Sequence, residues 1–454
     1  MEEGEPVMML GVTPDCIWGD RNKKTVYAQA FGQGRSMIFR FYLNRVNPPE
    51  SLPIRVVSCY HGLPVLNEAH TFPDHVTMRT AIWSAVANVW HRCFNEPEIL
   101  GPGTIIDITS SLTGAITWLA LREPSFDKYL NLLRHIQPKD LAPGDSTLPT
   151  VDISHVDFLE TMGRSGRCKR VETQEGQTGP VTYVFKGFDF HTYLQVRDGD
   201  DIRACCMIED WRKSSNLIAN MAPHPYIQQP PRMLVSVRDW HLQPVIIGHL
   251  STFFTRRDLS EVITSANITG APIPLRQKAK WCYQMSLAIA YAHRVAHTYH
   301  RDIHPGNFVV DAQQNLVLID WEQRGTSAST LAPEADGTWD VVELPNDQLM
   351  YGKYTGAGRR NMPVGSGEES YNVWNVFPDW QSSCPRATEL AEVFALGRTM
   401  WMLLAQVVVD GVKHPDDVQV VWGNEDEHIP AHWVAMVEKC MDRDPNMRPD
   451  VAHL

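Results

Sequence analysis

Three residues at short spacing, Asp302, Asn307 and Asp320, combine a carboxylate able to take a proton from a hydroxyl with two oxygen ligands for a hard cation. Asp302 follows His300-Arg301, Asn307 lies five residues further on, and Asp320 ends the apolar run Leu316-Val317-Leu318-Ile319. Moving a phosphoryl group calls for such a set. One carboxylate orients the acceptor hydroxyl, and oxygen ligands hold the Mg²⁺ that neutralises the phosphates. Taken one at a time, each residue also has a plain reading as a surface turn or a helix cap.

The flanking segments are suited to positioning this set. Within residues 275–297, Trp281, Met285, Ala288, Ile289 and Ala292 recur at the spacing of one apolar helix face, which predicts an amphipathic helix just before Asp302. Residues 308–310 and 316–319 read as two brief strands joined by a polar turn at 311–315, so Asn307 and Asp320 fall at the same end of a hairpin. Short apolar runs at 181–186, 233–237 and 244–248 make residues 151–260 β-rich, and residues 393–407, apolar on nearly all sides, predict a buried helix. In the first 136 residues, runs at 36–42 and 54–59 read as strands and 76–93 as a helix.

With these motifs in order, the chain resembles the protein kinase superfamily. His300-Arg301-Asp302 with Asn307 matches H-R-D-x-x-x-x-N, Asp320 matches the metal-binding Asp of D-F-G, and Ala332-Pro333-Glu334 matches A-P-E. Glu392-Val393-Phe394-Ala395-Leu396-Gly397 looks like the D-V-W-S-L-G helix, and residues 440–449 resemble a closing C-x-x-x-D-P-x-x-R-P segment. The whole string also looks like a kinase-like family found in fungi. The resemblance covers about residues 151–454. It implies an α+β, two-lobed protein-kinase-like fold with a β-rich small lobe and a helical large lobe, preceded by a separate mixed α/β N-terminal region. It implies ATP and Mg as cofactors, a protein substrate, Asp302 as the catalytic carboxylate, Asn307 and Asp320 as metal ligands, and a Glu334–Arg448 salt bridge.

In the small lobe the resemblance assigns Lys186 to the α/β-phosphates, Gly163 and Gly166 to the phosphate-covering loop, and Glu209 as the partner of Lys186. The loop has Ser165 and Cys168 where the pattern has glycine, and the family's spacing would put the acidic partner near Ser214-Ser215. His304-Pro305-Gly306 stands in place of Lys-Pro-Glu, so His304 inherits the catalytic position of a lysine that steadies the γ-phosphate. Trp321 and Glu322 replace Phe and Gly, and Glu392 replaces Asp. Three activities fit this text: a Ser/Thr protein kinase, a pseudokinase acting as a binding or scaffolding module, and a small-molecule kinase of the aminoglycoside or choline phosphotransferase type. Thr326, Ser327, Ser329 and Thr330 read as a polar loop or as phosphorylation sites with Arg301 as partner.

At 454 residues the chain is long enough for two domains. Residues 1–136 form an N-terminal region of unassigned function, the Pro- and Gly-bearing segment 137–150 reads as a linker, and residues 335–386 read as an insertion or long surface loop. A net charge of −12 and a pI near 5.8 argue against a general nucleic-acid binder. Nine scattered cysteines without a Cys-x-x-Cys fit reduced thiols. The acidic first residues carry no secretory pattern, and apolar stretches such as 108–121 and 399–409 are too short to span a bilayer. The expectation is an intracellular protein, cytoplasmic or nuclear, with no membrane span.

Overall fold

The computed structural model describes residues 12–454 except 44–47, 49, 64–71, 95–100, 112, 142–147, 163–167, 175–178, 197–200, 240, 255–256, 323–325, 347, 357–375, 410, 413–414 and 424–428. The architecture is α+β, and among the described residues no sheet closes into a barrel. The chain forms two compact units, Met1–Arg212 with Pro231–Phe253, and Lys213–Pro230 with Phe254–Leu454. No helix among the described residues is long and apolar enough to cross a membrane.

The first unit begins with β1 (Thr13–Gly19), β2 (Thr25–Gly32) and β3 (Arg35–Tyr42). A two-residue turn joins β2 to β3, with Gln33 and Gly34 both at positive φ, the backbone that lets the strands keep their twist. Helices α1 (Leu52–His61) and α2 (His75–Phe94) follow, then β4 (Thr104–Ser110) and β5 (Ile116–Arg122). The sheet runs β1-β2-β3-β4-β5 and is antiparallel except at β3–β4. A parallel neighbour requires a crossover, which the two helices supply. Residues 54–59, expected to be a strand, therefore belong to α1. Pro53 in the first turn and Gly62 in the left-handed cap bound one helix, and Val56 and Val57 are buried on the sheet.

After α3 (Ser125–Leu133) come β6 (Thr150–Asp152), β7 (Val156–Met162), β8 (Cys168–Gln174), β9 (Pro180–Gly187), α4 (Phe190–Val196), α5 (Asp201–Asn220), β10 (Met233–Arg238) and β11 (Pro244–Thr252). The second sheet runs β6-β10-β11-β9-β8-β7. Strand β2 is buried on both faces: Val26, Ala28 and Ala30 pack under α1 and α2, while Tyr27 and Phe31 join a core with α3 and the second sheet. That shared core places the N-terminal region and the β-rich segment after residue 150 in one compact unit, so the contacts do not divide at 137–150.

His249, buried on β11, accepts the Trp211 Nε1–H at Nδ1 over 3.1 Å. Burial, and then the charge of Lys186, push its pKa down to about 3. The unfolded chain therefore binds a proton here between pH ~6.5 and ~3 that the folded chain refuses. Stability from this group is present above that window and drains as pH falls through it, by up to about 1.4 kcal/mol per pH unit. His249→Gln should flatten the acid limb of a plot of unfolding free energy against pH; identical limbs in both proteins would refute the assignment.

The second unit carries α6 (Leu259–Thr269), α7 (Leu275–Arg294), β12 (Phe308–Val310), β13 (Leu316–Leu318), β14 (Trp339–Glu343), β15 (Leu349–Lys353), α8 (Phe377–Ser383), α9 (Pro385–Leu404) and α10 (Ala431–Cys440). Helix α9 is buried on every side, as its sequence required, and forms the centre of a core with α7 and the β12–β13 hairpin. The segment 335–386 is more than a surface loop. Its described part holds the β14–β15 hairpin and α8, and Val341, Leu349, Phe377 and Trp380 close a core of their own against α9.

The Glu334–Arg448 pair is present, with Nη1 to Oε1 at 2.5 Å and Nη2 to Oε2 at 2.9 Å, both side chains buried. Arg448 also donates to the carbonyls of Leu390 and Asp442 and lies 4.8 Å from the centre of the Phe394 ring. Those further partners cushion the loss of Glu334. Glu334→Ala should destabilise by about 2–3 kcal/mol, below the full penalty for an orphaned buried charge. Chemical denaturation measures it, and a loss under 1 kcal/mol would contradict it.

Candidate functional site

The site is built at the end of α7. His300 is fully buried and donates Nε2–H to the Ile319 carbonyl at 2.8 Å while its Nδ1 accepts the Asp302 backbone N–H at 3.3 Å. Its ring meets Trp321 edge-on at 4.8 Å, and Trp321 is buried in the core of the second unit. One histidine thus ties the segment around Asp302 to the segment around Asp320.

Arg301 and Asp320 both have positive φ, 70° and 68°. Non-glycine residues hold this conformation only where the surroundings impose it. For Arg301 they are visible on both sides: its N–H donates to Glu392, and its carbonyl accepts the Thr326 hydroxyl at 2.5 Å. Glu392 divides its two oxygens between that N–H and His293 Nε2, the latter at 2.6 Å. The methylene by which Glu392 exceeds aspartate therefore does not break its hold on the loop. The Arg301 guanidinium is taken by Gln381, and burial lowers its pKa against the pull of Glu392.

Asp302 Oδ1 accepts the Ser327 N–H at 2.8 Å. Its Oδ2 lies 3.3 Å from Asn307 Nδ2 and 3.5 Å from His304 Nε2, contacts long enough to leave it a competent proton acceptor. Asn307 donates Nδ2–H to the Asp302 carbonyl at 2.8 Å, which turns its amide oxygen the other way, toward the role of a cation ligand. Phe308 pairs with Leu318, and the Ile319 N–H donates to the Asn307 carbonyl at 2.9 Å, so Asn307 and Asp320 do share one end of the hairpin. The Asp320 N–H is held by Gln228 Oε1 at 3.4 Å.

His304 folds back on its own turn, where Nδ1 accepts the Gly306 N–H at 3.1 Å. A Cβ at position 306 would meet the His304 ring at 2.8 Å, so the turn admits glycine there while His304 folds back. Burial disfavours charge on His304, but Asp302, then Asp320 and Asp258, outweigh it and hold the pKa above the ordinary value.

In the first unit, Lys186 is half-buried on β9, opposite Cys168 on β8 and His249 on β11. Glu209 on α5 takes Arg212 in a two-point pair at 2.7 and 2.8 Å. Ser214 and Ser215, where the family spacing puts the acidic residue, are both buried. Gly163 and Gly166 lie outside the described residues. The second unit thus brings together Asp302, His304, Asn307 and Asp320. Sequence reasoning named Ser327 only as part of a polar loop or as a phosphorylation site, not as a partner of Asp302, and did not find Gln228 or His293. The first acts through its backbone, and the other two are ordinary polar residues with no spacing to mark them. No protein-family model matches the chain.

Proposed function

We propose that residues 151–454 carry out Mg·ATP-dependent phosphoryl transfer to a Ser or Thr hydroxyl of a protein, in a two-lobed protein-kinase-like fold. The observation that carries this reading is the gathering of Asp302, Asn307 and Asp320 at one end of the β12–β13 hairpin, with backbone strain at Arg301 and Asp320. Asp302 Oδ2 orients the hydroxyl and takes its proton, and Asn307 and Asp320 hold Mg²⁺ when it is bound. Lys186 and the segment around Gly163 and Gly166 receive the phosphates. A second reading, a nucleotide-binding scaffold without transfer, has one observation behind it: Ser165 and Cys168 stand where the phosphate-covering pattern has glycine. ATP-induced thermal stabilisation together with Mg-dependent turnover, in wild type and Asp302→Asn, separates the two. Stabilisation without any Asp302-dependent turnover leaves the scaffold; no stabilisation removes both.

In this reading His304, as a cation, supplies the positive charge that lysine provides in the family. Its pKa is raised, so the cation persists above pH ~6.5 and is lost as pH rises through the folded value. kcat/KM should fall along that alkaline limb, and His304→Lys should move the limb to higher pH. An unchanged profile in the variant would remove His304 from the chemistry.

A further inference from the structure

Within the first unit, β1 departs from regular pairing at one point. Pro14 pairs with Ala30 and Cys16 with Gln29, so Asp15 is an extra residue in a β-bulge. In a regular strand, neighbouring side chains point to opposite faces; a bulge re-aims them. Here Asp15 and Cys16 converge on His191, in the first turn of α4. Their donor atoms lie within 4.8 Å of one another, and Cys16 Sγ is 3.2 Å from His191 Nε2.

One atom of this group, Asp15 Oδ2, is buried with no hydrogen-bond partner. Buried polar atoms are nearly always satisfied, and each exception calls for a ligand or an ion. We propose that Asp15, Cys16 and His191 form a binding site for a borderline divalent transition ion of the Zn²⁺ class. The inference is independent of the phosphoryl-transfer reading.

The donor set is the mixed O, S, N set that suits such an ion rather than Mg²⁺ or Ca²⁺. Tetrahedral bond lengths put a sulfur and a nitrogen on one zinc about 3.5 Å apart, so the observed 3.2 Å between Sγ and Nε2 needs only a small opening. Charge also balances. An ion of this class takes cysteine as its thiolate, so the Cys16 thiol gives up its proton on binding. Binding releases that proton to solvent, and a dication then meets one thiolate and one carboxylate. Lys169, the nearby cation, is already matched by Asp189. Gln195, exposed on α4, reaches Cys16 Sγ at 4.0 Å and His191 Nε2 at 3.1 Å. Turning its amide over presents Oε1 as a fourth donor. His191 also lines a cavity of about 460 Å³ between the two sheets, bordered by Gln29, Asp189 and Tyr129, which gives an ion a way in.

The test is a Co²⁺ titration of the full chain after chelator treatment, followed through the near-ultraviolet thiolate-to-cobalt band. Wild type should take up one equivalent with that band, and Zn²⁺ should abolish it. Cys16→Ser should lose the band with its circular dichroism unchanged, Asp15→Asn should bind at least tenfold more weakly, and Cys59→Ser should match wild type. Because Cys16→Ser can fail to fold, alkylation of wild type with and without Co²⁺ is mapped by mass spectrometry, and Cys16 should be the protected thiol. Folded wild type without the band, a band that persists in folded Cys16→Ser, or protection of a different cysteine overturns the site.

Discussion

Replacing Asp302 by asparagine is expected to lower Mg·ATP-dependent phosphoryl transfer by about 10²- to 10⁴-fold while ATP binding survives. The substitution keeps an oxygen for the Ser327 N–H, which Asp302 Oδ1 accepts at 2.8 Å, so the loop retains that anchor. What disappears is the basic Oδ2, replaced by an amide N–H₂ facing Asn307 Nδ2 and His304 Nε2. The contacts at 3.3 and 3.5 Å then set donor against donor, a local penalty of about 1 kcal/mol rather than a loss of fold. The first carboxylate that raises the His304 pKa is also gone, so the alkaline limb assigned to His304 should move to lower pH in the same variant. ATP-induced thermal shifts report binding, and initial rates with saturating Mg·ATP report transfer. A variant that keeps more than a tenth of wild-type transfer would take Asp302 out of the base role. Asp320→Asn makes a useful contrast, since it should remove the Mg-dependent part of the ATP shift as well as the rate.

What could be read from the sequence was whatever lies close along the chain. Asp302, Asn307 and Asp320 span fewer than twenty residues, and two strands with a polar turn bring their ends together by local geometry alone. The helices α7 and α9 announced themselves by periodicity and by its absence. Residues 54–59 were misread because six mostly apolar residues satisfy a strand and a buried helical turn equally well. Pro53 and Gly62, outside the run, carried the deciding information. The hairpin and helix within 335–386 were hidden by Gly- and Asn-rich neighbours, and only packing of Trp380 and Phe377 on α9 reveals them. Glu334 and Arg448, 114 residues apart, were paired through family resemblance and not by any local signal.

Least readable of all was the polar group between the two sheets of the first unit. Its members come from positions 15, 16, 29, 169, 189 and 191, on strands, a connection and a helix that meet only after both sheets form. In the sequence Lys169 stands in the run Arg167-Cys168-Lys169-Arg170, where nothing local marks it as buried. Strand alternation decides it. Lys169 pairs with Phe185, whose side chain faces the shared core, so Lys169 faces it too and is completely buried. Lys186, one position along, pairs with Cys168 and belongs to the other face. The two lysines thus divide between an internal ion pair and the proposed nucleotide site.

That internal pair sets the largest expected effect on stability. Lys169 Nζ bonds to Asp189 Oδ2, and Asp189 Oδ1 accepts the Thr192 N–H at 2.9 Å and its hydroxyl at 2.7 Å. Burial works against the Asp189 charge, but Lys169, followed by the His191 and Thr192 interactions, prevails and depresses its pKa below the ordinary carboxylate range. The two partners are not equivalent. Removing the lysine, as in Lys169→Met, leaves a carboxylate still held by Thr192. Removing the acid, as in Asp189→Asn, leaves an ammonium with no water around it. Asp189→Asn should therefore destabilise by about 3–5 kcal/mol, Lys169→Met by clearly less, and the double variant should recover most of the loss because it buries no charge. The sign of the pH dependence follows from the depressed pKa. The contribution of Asp189 is fully present above pH ~4 and is lost as pH falls through its folded value, so Asp189→Asn should also lose part of the acid limb below pH ~4. Denaturant unfolding of the four proteins at neutral pH and in acid measures the cycle. Additive single effects would show that Lys169 and Asp189 act independently.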